Sequence, residues 1–376
     1  RNCGYICPSH MLPLAEPGMV KKGLKSLLNP KAAFKIKPQL RWTLYRWLFQ
    51  FAKRCNKQDM LQGGQYLKSI LDDSRQEYEA LLSDQSPATS IKAQWKRSGL
   101  FYVMETAHGV EEFLPHDKLL SEHFGLKAQF IEGHELTQFD PALKAGLAGG
   151  FMYQNDASLE PHEFVKNWVE CLKLKGLKTI EHCLLNKVNS SNNKVNSLLT
   201  NQGEMAADHF VFATGAWSSL LASELKCNIP VEPCKGYSVT IQRPEICPTV
   251  PMLFHEHGVG VTPFENTFRL GSMIEFSGFD TSIRKNRIEQ LYQSAAPYLK
   301  STLNRQKEKP WCGWRPMTWD SLPIIGHVPN FSNAILATGH NMLGMTLAPA
   351  TGKMVASLLS GENPEVNPRP YSPNRF

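Results

Sequence analysis

Near the carboxyl end of the chain, Gly313-Trp314-Arg315-Pro316 sets one arginine between residues that restrict its backbone, and Asp320, Leu322-Pro323 and Gly326 follow. A guanidinium is a planar fork that meets a carboxylate through two parallel hydrogen bonds, and a nearby glycine and proline limit how far it can turn. Such an arginine suits a substrate that carries an acid group. An internal ion pair with Asp320, or a bond to a strand carbonyl, would use the same side chain structurally, and the residues alone leave both readings open. A second set of candidates is glycine-spaced. Thr338-Gly339-His340-Asn341-Met342-Leu343-Gly344 closes the apolar run Ala334-Ile335-Leu336-Ala337, and Thr214-Gly215-Ala216-Trp217 closes His209-Phe210-Val211-Phe212-Ala213. A strand that ends in glycine before a helix exposes backbone N–H groups and the positive end of a helix dipole, which favour phosphate or developing negative charge. One such junction is commonplace in α/β proteins, whereas two that bracket a stretch of strands are more specific.

No nucleophile with an adjacent base stands out. His108, His255, His257 and His327 read as loop or surface residues. Cys3, Cys7 and His10 lie close in sequence but have no evident fourth ligand, so no metal site is expected. The nine cysteines form no C-x-x-C pair, and their odd number argues against a disulfide framework and for a reducing cytoplasm.

The elements that must position these groups read as α/β. Residues 38–54 place Leu40, Leu44, Trp47, Leu48 and Phe51 on one helical face with Arg41, Arg46, Lys53 and Arg54 interleaved. That helix packs on its own protein, or lies on a membrane surface. Residues 58–82 predict a second long helix, and residues 91–113 predict short strands separated by Gly99 and Gly109. A helix opens at Pro161 and stops at Gly176. Residues 180–188 and 195–200 then read as a hairpin joined by the polar stretch 189–194. Strands return over 231–299, ending in one helix at 284–299, and suggest an inserted second domain. A last helix runs through Met354, Val355, Leu358 and Leu359 to Gly361, and the Pro-rich tail, 364–376, reads as an exposed end.

Composition is that of a globular chain, with 42% hydrophobic and 20% charged residues among 376. No apolar run approaches the ~18 residues that span a bilayer, and the first residues lack the regions of a signal peptide. A net charge of +7 over a chain this long is too dilute for a nucleic-acid binder and favours anionic small substrates or acidic lipid.

The carboxy-terminal GWRP…GH…G set, taken with FVFATGAWSS, CKGYSVT, FRLGSMIEFSGF and NCGYICPSHMLPLAEPG in order and spacing, resembles the D-amino acid dehydrogenases of the D-amino-acid oxidase superfamily. The resemblance runs from Asn2 to about Pro364. It implies a discontinuous Rossmann-like FAD-binding domain, formed by residues 1–12, 58–85, 150–228 and 312–376. An inserted α+β substrate domain on an antiparallel sheet takes 13–57, 86–149 and 229–311. It implies that Asn2, Cys3, Gly4 and Tyr5 lie along the flavin and that Val188 meets the adenine side through its backbone. Thr214, Gly215, Ala216 and Trp217 would line the dinucleotide. Gly339, His340, Asn341, Met342, Leu343 and Gly344 would approach the isoalloxazine from a helix amino end. Arg315 would clamp the substrate carboxylate, with Tyr237 as a further pocket residue or a tyrosine bonded within the sheet.

The implied reaction is oxidation of a D-amino acid to a 2-oxo acid and ammonia, with hydride passing from Cα to flavin and electrons onward to a quinone or other carrier. Relatives acting on glycine, sarcosine or hydroxyproline would share the clamp, and a non-catalytic remnant without FAD is the alternative from another class. A cytoplasmic protein, in peripheral contact with the inner membrane or free of it, fits these implications. The family's opening strand, G-x-G-x-x-G and ribose-binding acid are missing from the chain, and Gly146, Gly149 and Gly150 do not replace them. The opening at Arg1 reads as a cut in a longer protein. Asn341 and Trp319 also depart from the usual pattern, and both bear on substrate choice.

Overall fold

The computed structural model describes residues 2–27, 32–37, 39–83 and 91–376. The amino-terminal part comprises β1 (Tyr5–Ile6), α1 (Met19–Leu27), β2 (Phe34–Ile36), α2 (Trp42–Arg54), α3 (Lys57–Ser83), β3 (Leu100–Met104), α4 (Ala107–Phe124) and β4 (Gln129–Glu132). It continues through α5 (Leu136–Phe139), β5 (Gly149–Tyr153), β6 (Ala157–Ser158), α6 (Pro161–Leu174), β7 (Leu185–Ser191), β8 (Lys194–Thr200), β9 (Gly203–Ala206) and β10 (Phe210–Phe212). Then follow β11 (Glu232–Gln242), β12 (Met252–Phe254), β13 (Val259–Pro263), β14 (Thr267–Phe276), α7 (Lys285–Ala295), β15 (Lys309–Met317), β16 (Ile324–His327), β17 (Ala334–Thr338) and α8 (Ala348–Ser360).

A nine-stranded sheet dominates. Its order is β15-β11-β14-β13-β12-β3-β5-β4, with β2 parallel to β14. The sheet takes in the whole of β5 and β15, two strands that the domain limits expected above divide between the units. One face packs under α7, where Ile288, Leu291, Tyr292 and Ala295 join Val239, Phe268 and Leu270 in an apolar core. A second, three-stranded sheet pairs β10 parallel to β17 and β16 antiparallel to it. Ala334–Thr338 is buried almost throughout in the manner of a parallel strand, whereas Phe210–Phe212 buries both phenylalanines and leaves Val211 exposed. β7, β8 and β9 form a separate meander, whose first turn uses Asn192 and Asn193 at φ 48° and 59°. Two successive left-handed residues match the strand twist, and asparagine tolerates that conformation better than most side chains.

The helices at 58–82 and from Pro161 form as expected, the second capped by Glu160, whose side chain accepts from Glu163 N–H. Three expectations need correction. Residues 109–113 are helical, because Thr106 caps α4 by accepting from Gly109 N–H and Phe113, Leu120 and Phe124 then fall on its buried side. The chain beyond Thr214 forms a 3-10 turn over Gly215–Leu221 in place of a regular helix. The tail is not an exposed end: Tyr371 is buried and donates to Tyr66 O, and the Arg375 guanidinium holds Asp320 at 2.7 Å.

The segment after β1 is tied down by Asp156, which accepts from the Ser9 N–H at 3.0 Å and from the Ser9 hydroxyl. Burial pushes the Asp156 carboxyl up to about 7, and the Ser9 bonds only partly offset this. A group whose pKa is higher folded than unfolded contributes stability that is full at low pH and is lost as pH rises. The window here runs from about 4, the unfolded value, to about 7. Urea unfolding should therefore show stability falling across that window by on the order of 4 kcal/mol from this group. The Asp156→Asn variant should lack that component, and identical slopes for both proteins would contradict the assignment.

Candidate functional site

Four strands of the large sheet carry glycine where their side chains would point to one face. Gly236 of β11 pairs with Gly313 of β15, and Gly271 of β14 pairs with Gly260 of β13; Ser238, two residues beyond Gly236, is the cross-strand partner of Gly271. Residues two apart on a strand share a face, so these glycines form a floor without Cβ atoms. Larger groups lie flat on it. A Cβ at Gly236 would come within 2.2 Å of Arg315 Nη1, one at Gly313 within 2.2 Å of the Trp311 ring, one at Gly271 within 2.6 Å of Cys3 Sγ, and one at Gly260 within 2.6 Å of the Tyr5 hydroxyl.

Above this floor lies a cavity of about 450 Å³. It brings together Asn2, Cys3, Gly4, Tyr5, Tyr237, Arg315, Asn341, Met342, Leu343 and Gly344 from the sequence candidates. Arg315 is the one Lys or Arg among the described residues that border it, and none of them is Asp or Glu. The Arg315 fork is aimed by one bond, Nη1 donating to Met273 O at 2.8 Å. Met273 has φ 78° and lies in a bulge of β14 opposite Gly236, which turns its carbonyl out of the ladder and toward the guanidinium. Nε and Nη2 have no partner among the described residues. Asp320, the alternative partner, is taken by Arg375. The other guanidinium near this segment, Arg269, is paired with Glu160 at 2.9 Å and donates to Asn2 O, so its charge is already matched.

The opening residues are pinned to the same sheet. Thr262 donates to Cys3 O, and the Tyr5 hydroxyl donates to Met252 O at 2.8 Å. Burial raises the Cys3 thiol pKa, and the Arg269 and Arg315 charges oppose this. His10 borders the cavity too; burial, with a smaller push from His116, lowers it to about 4. Its Nε2 meets the Tyr102 hydroxyl at 2.9 Å.

The loop after β17 reaches the cavity through Asn341, whose φ of 52° only glycine or asparagine adopts readily. That requirement gives a physical reason for asparagine at this departure from the usual pattern. Its side chain donates to Gly339 O and Thr318 Oγ1 and accepts from Thr318 N–H, while its N–H donates to Pro316 O. The loop is thereby fixed to the strand that carries Arg315. α8 itself starts at Ala348, four residues past Gly344, so the 339–344 segment is a run of turns ahead of the helix. His340 faces away, bonded to Thr351 and lowered to about 4 by burial.

The remaining candidates, Tyr237 apart, lie outside the cavity. Thr214 and Gly215 join the end of β17 through Ser218 and Thr338, and Ala216 is buried beside them. Trp217 stacks on Phe279 and meets Trp314 edge-on at 5.6 Å. Gly339 has no room for a side chain beside Thr318 and Ile324. Val188 is in the meander, its N–H donating to Glu224. Tyr237 is a correction. It follows Gly236 on β11, so alternation sends its ring to the opposite face, into the core under α7 with the Lys235 ammonium 5.0 Å from it. The floor glycines and the Met273 bulge escaped the sequence reading, although alternating glycine within apolar strands was a visible signal.

The cavity thus joins the glycine floor of the large, mostly antiparallel sheet, the Arg315 fork and the turns that follow β17. The family model "FAD dependent oxidoreductase" (DAO) matches residues 4–358, and the chain belongs to that family. It is 30% identical to a D-amino acid dehydrogenase of Vibrio vulnificus over 97% of this chain and 87% of that protein. It is 26% identical to one of Neisseria gonorrhoeae over 100% and 89%. Among solved structures, glycine oxidase from Geobacillus kaustophilus superposes with a TM-score of 0.75 at 23% identity, over 83% of this chain and 84% of that one. L-proline dehydrogenase from P. horikoshii gives 0.69 at 20% identity, over 83% of each. Both likenesses concern the fold.

The residues present fit a flat, partly polar cofactor. The floor lacks side chains, a Cβ at Gly344 would meet nothing closer than 3.7 Å, and the buried Ser321 Oγ and His10 Nδ1 on the cavity wall have no hydrogen-bond partner among the described residues. Because only the far end of the Arg315 side chain occupies the space over Gly236, Gly236→Ala should fold normally but displace the fork. Calorimetry should then find binding of a small unreactive carboxylate weakened at least about tenfold, the worth of one charge-assisted hydrogen bond, with an unchanged melting temperature. Undiminished binding would contradict the placement.

Proposed function

We propose that this FAD-dependent oxidoreductase oxidises D-amino acids to 2-oxo acids and ammonia and passes the electrons to a quinone or other carrier. The observation that carries the reading is the Arg315 guanidinium, held at one nitrogen by Met273 O and left open at Nε and Nη2 in a cavity bordered by no other formal charge among the described residues. A carboxylate is the ligand whose charge and two-point geometry meet that fork. The names of the curated relatives supply the amine and its configuration.

Asn2, Cys3, Gly4, Tyr5 and the 341–344 turns would hold the flavin ring side of FAD, and Thr214, Gly215 and Trp217 would lie toward its dinucleotide. Bound FAD supplies the acceptor for the two electrons and the hydrogen of the substrate Cα. The chain's own residues orient. With the carboxylate on Arg315, the substrate keeps one rotational freedom about its Cα bond, and confining that freedom is a large part of the rate a positioned reaction gains. Leu12, Leu14, Leu253, Ile274 and Met342 make much of the wall apolar, which limits water and strengthens the Arg315 contact. His10, kept neutral by burial, places no second positive charge near the amine and leaves Nδ1 on the cavity wall without a partner among the described residues.

Arg315→Lys keeps the charge and loses the fork. In the flavin-loaded protein it should lower kcat/KM for D-alanine about 10²-fold, as expected for one to two charge-assisted bonds, while flavin absorbance per chain is unchanged. Turnover equal to the parent would remove Arg315 from the site. Reduction by sarcosine or hydroxyproline but not by any D-amino acid would keep the clamp and overturn the substrate class.

A further inference from the structure

We propose that α1 and the outer side of α2 form a docking face for a bilayer containing anionic lipid. The first ground is charge. Residues 17–58 contain eleven Lys or Arg and no Asp or Glu, whereas the whole chain carries +7, so the rest of the protein is net acidic. The basic excess that looks dilute over 376 residues is concentrated in one stretch. Within that stretch and among the described residues, carboxylates lie within reach of Lys22, Arg41 and Arg54 alone. Lys21, Lys25, Lys35, Lys37, Arg46 and Lys53 have no ion-pair partner among the described residues.

The second ground is the apolar surface beside these charges. α1 buries no residue, and its Val20, Leu24 and Leu27, spaced as one helical face, are all exposed. α2 settles into the protein through Leu44 and Trp47, which pack with Phe276 and Met317. Its opposite side carries Trp42 at 81% and Phe49 at 60% exposure beside Arg46 and Lys53, and Leu40 just ahead of the helix is fully exposed. Lys53 Nζ sits 4.5 Å from the Phe49 ring centre. A helix with one face buried in its protein normally turns a polar face to water. Here the outer face combines Trp, Tyr and Phe with basic residues, the composition that settles at the boundary between headgroups and acyl chains.

Only a surface offering both negative charge and apolar depth satisfies the two features together. A polynucleotide would pair with the lysines and leave Leu24, Leu40 and Phe49 in water. The face is also joined to the site, since Leu12, Pro13 and Leu14 border the cavity just ahead of α1 and Arg41 is held by both oxygens of Glu232 at the start of β11. The inference rests on these residues and is independent of the proposed reaction.

The test is sedimentation of the full chain with phosphatidylcholine vesicles, with and without phosphatidylglycerol, at low and moderate salt. Binding is expected with phosphatidylglycerol alone and should fall as salt rises. Lys21→Glu with Lys25→Glu should weaken it at least about fivefold for each charge. Trp42→Ser with Phe49→Ser, both outward-facing, should weaken it about tenfold or more while the melting temperature holds. Equal binding to neutral and anionic vesicles would overturn the proposal, as would binding indifferent to the Trp42 and Phe49 changes. Association with duplex DNA or RNA as strong as with the vesicles, and equally indifferent to those two changes, would overturn it in favour of a polyanion site.

Discussion

The site depends on a single hydrogen bond between Arg315 Nη1 and Met273 O. Guanidinium groups are long and flexible, and one left free in a cavity would fold onto the nearest acceptors. Here the bulge of β14 supplies one carbonyl, and Gly236 supplies a flat place to lie, so that two edges of the fork remain for a ligand. The charge stays uncompensated in the protein because the neighbouring acids are engaged elsewhere: Asp320 with Arg375, Glu160 with Arg269, and Glu232 with Arg41. Leaving a partly buried cation without a counter-ion costs free energy that a structural arginine would not incur. A ligand that brings a carboxylate would recover it, which is the physical basis of the proposed substrate class.

Joining the two sheets is a second requirement, because Arg315 belongs to one and the glycine-spaced strand ends to the other. Asn341 makes the link at β15 through Pro316 and Thr318, and Thr338 and Ser218 tie the end of β17 to the turn after β10. α3 braces the loop from behind, Ser74 and Tyr78 donating to Thr346 O and Met345 O. These are short polar contacts among buried groups, which fix distance and angle more narrowly than apolar packing does. The arrangement permits an orienting mechanism with no acid–base pair at its centre.

How far this could be read from residues follows from which interactions are local. The helix opening at Pro161 and the hairpin around Asn192 and Asn193 are written in neighbouring residues and form as read. Arg315 stood out through the company it keeps in Gly-Trp-Arg-Pro, with a carboxylate or an internal partner both open, while the strand carbonyl it meets, Met273 O, lies 42 residues away. The parallel pairing of β12 with β3 joins residues some 150 apart, and no local pattern announces it. Residues 109–113 misled because Gly109 looked like a strand break when it was the first turn of a capped helix. Tyr237 misled for a related reason: its neighbours Gly236 and Ser238 face the cavity side, and alternation alone would have sent its ring away. The tail looks exposed because it is Pro-rich, and nothing local announces that Arg375 meets Asp320, 55 residues away.

The central claim is that Arg315 receives the substrate's acid group without leaving Met273. It is tested most directly by a crystal structure of the flavin-loaded protein with an unreactive carboxylate analogue of a D-amino acid. The account predicts the carboxylate on Nε and Nη2 of Arg315, above Gly236, with the Met273 carbonyl still accepting from Nη1. A carboxylate held instead by Arg269 or Lys235, with the Arg315 fork turned from the cavity, would contradict it.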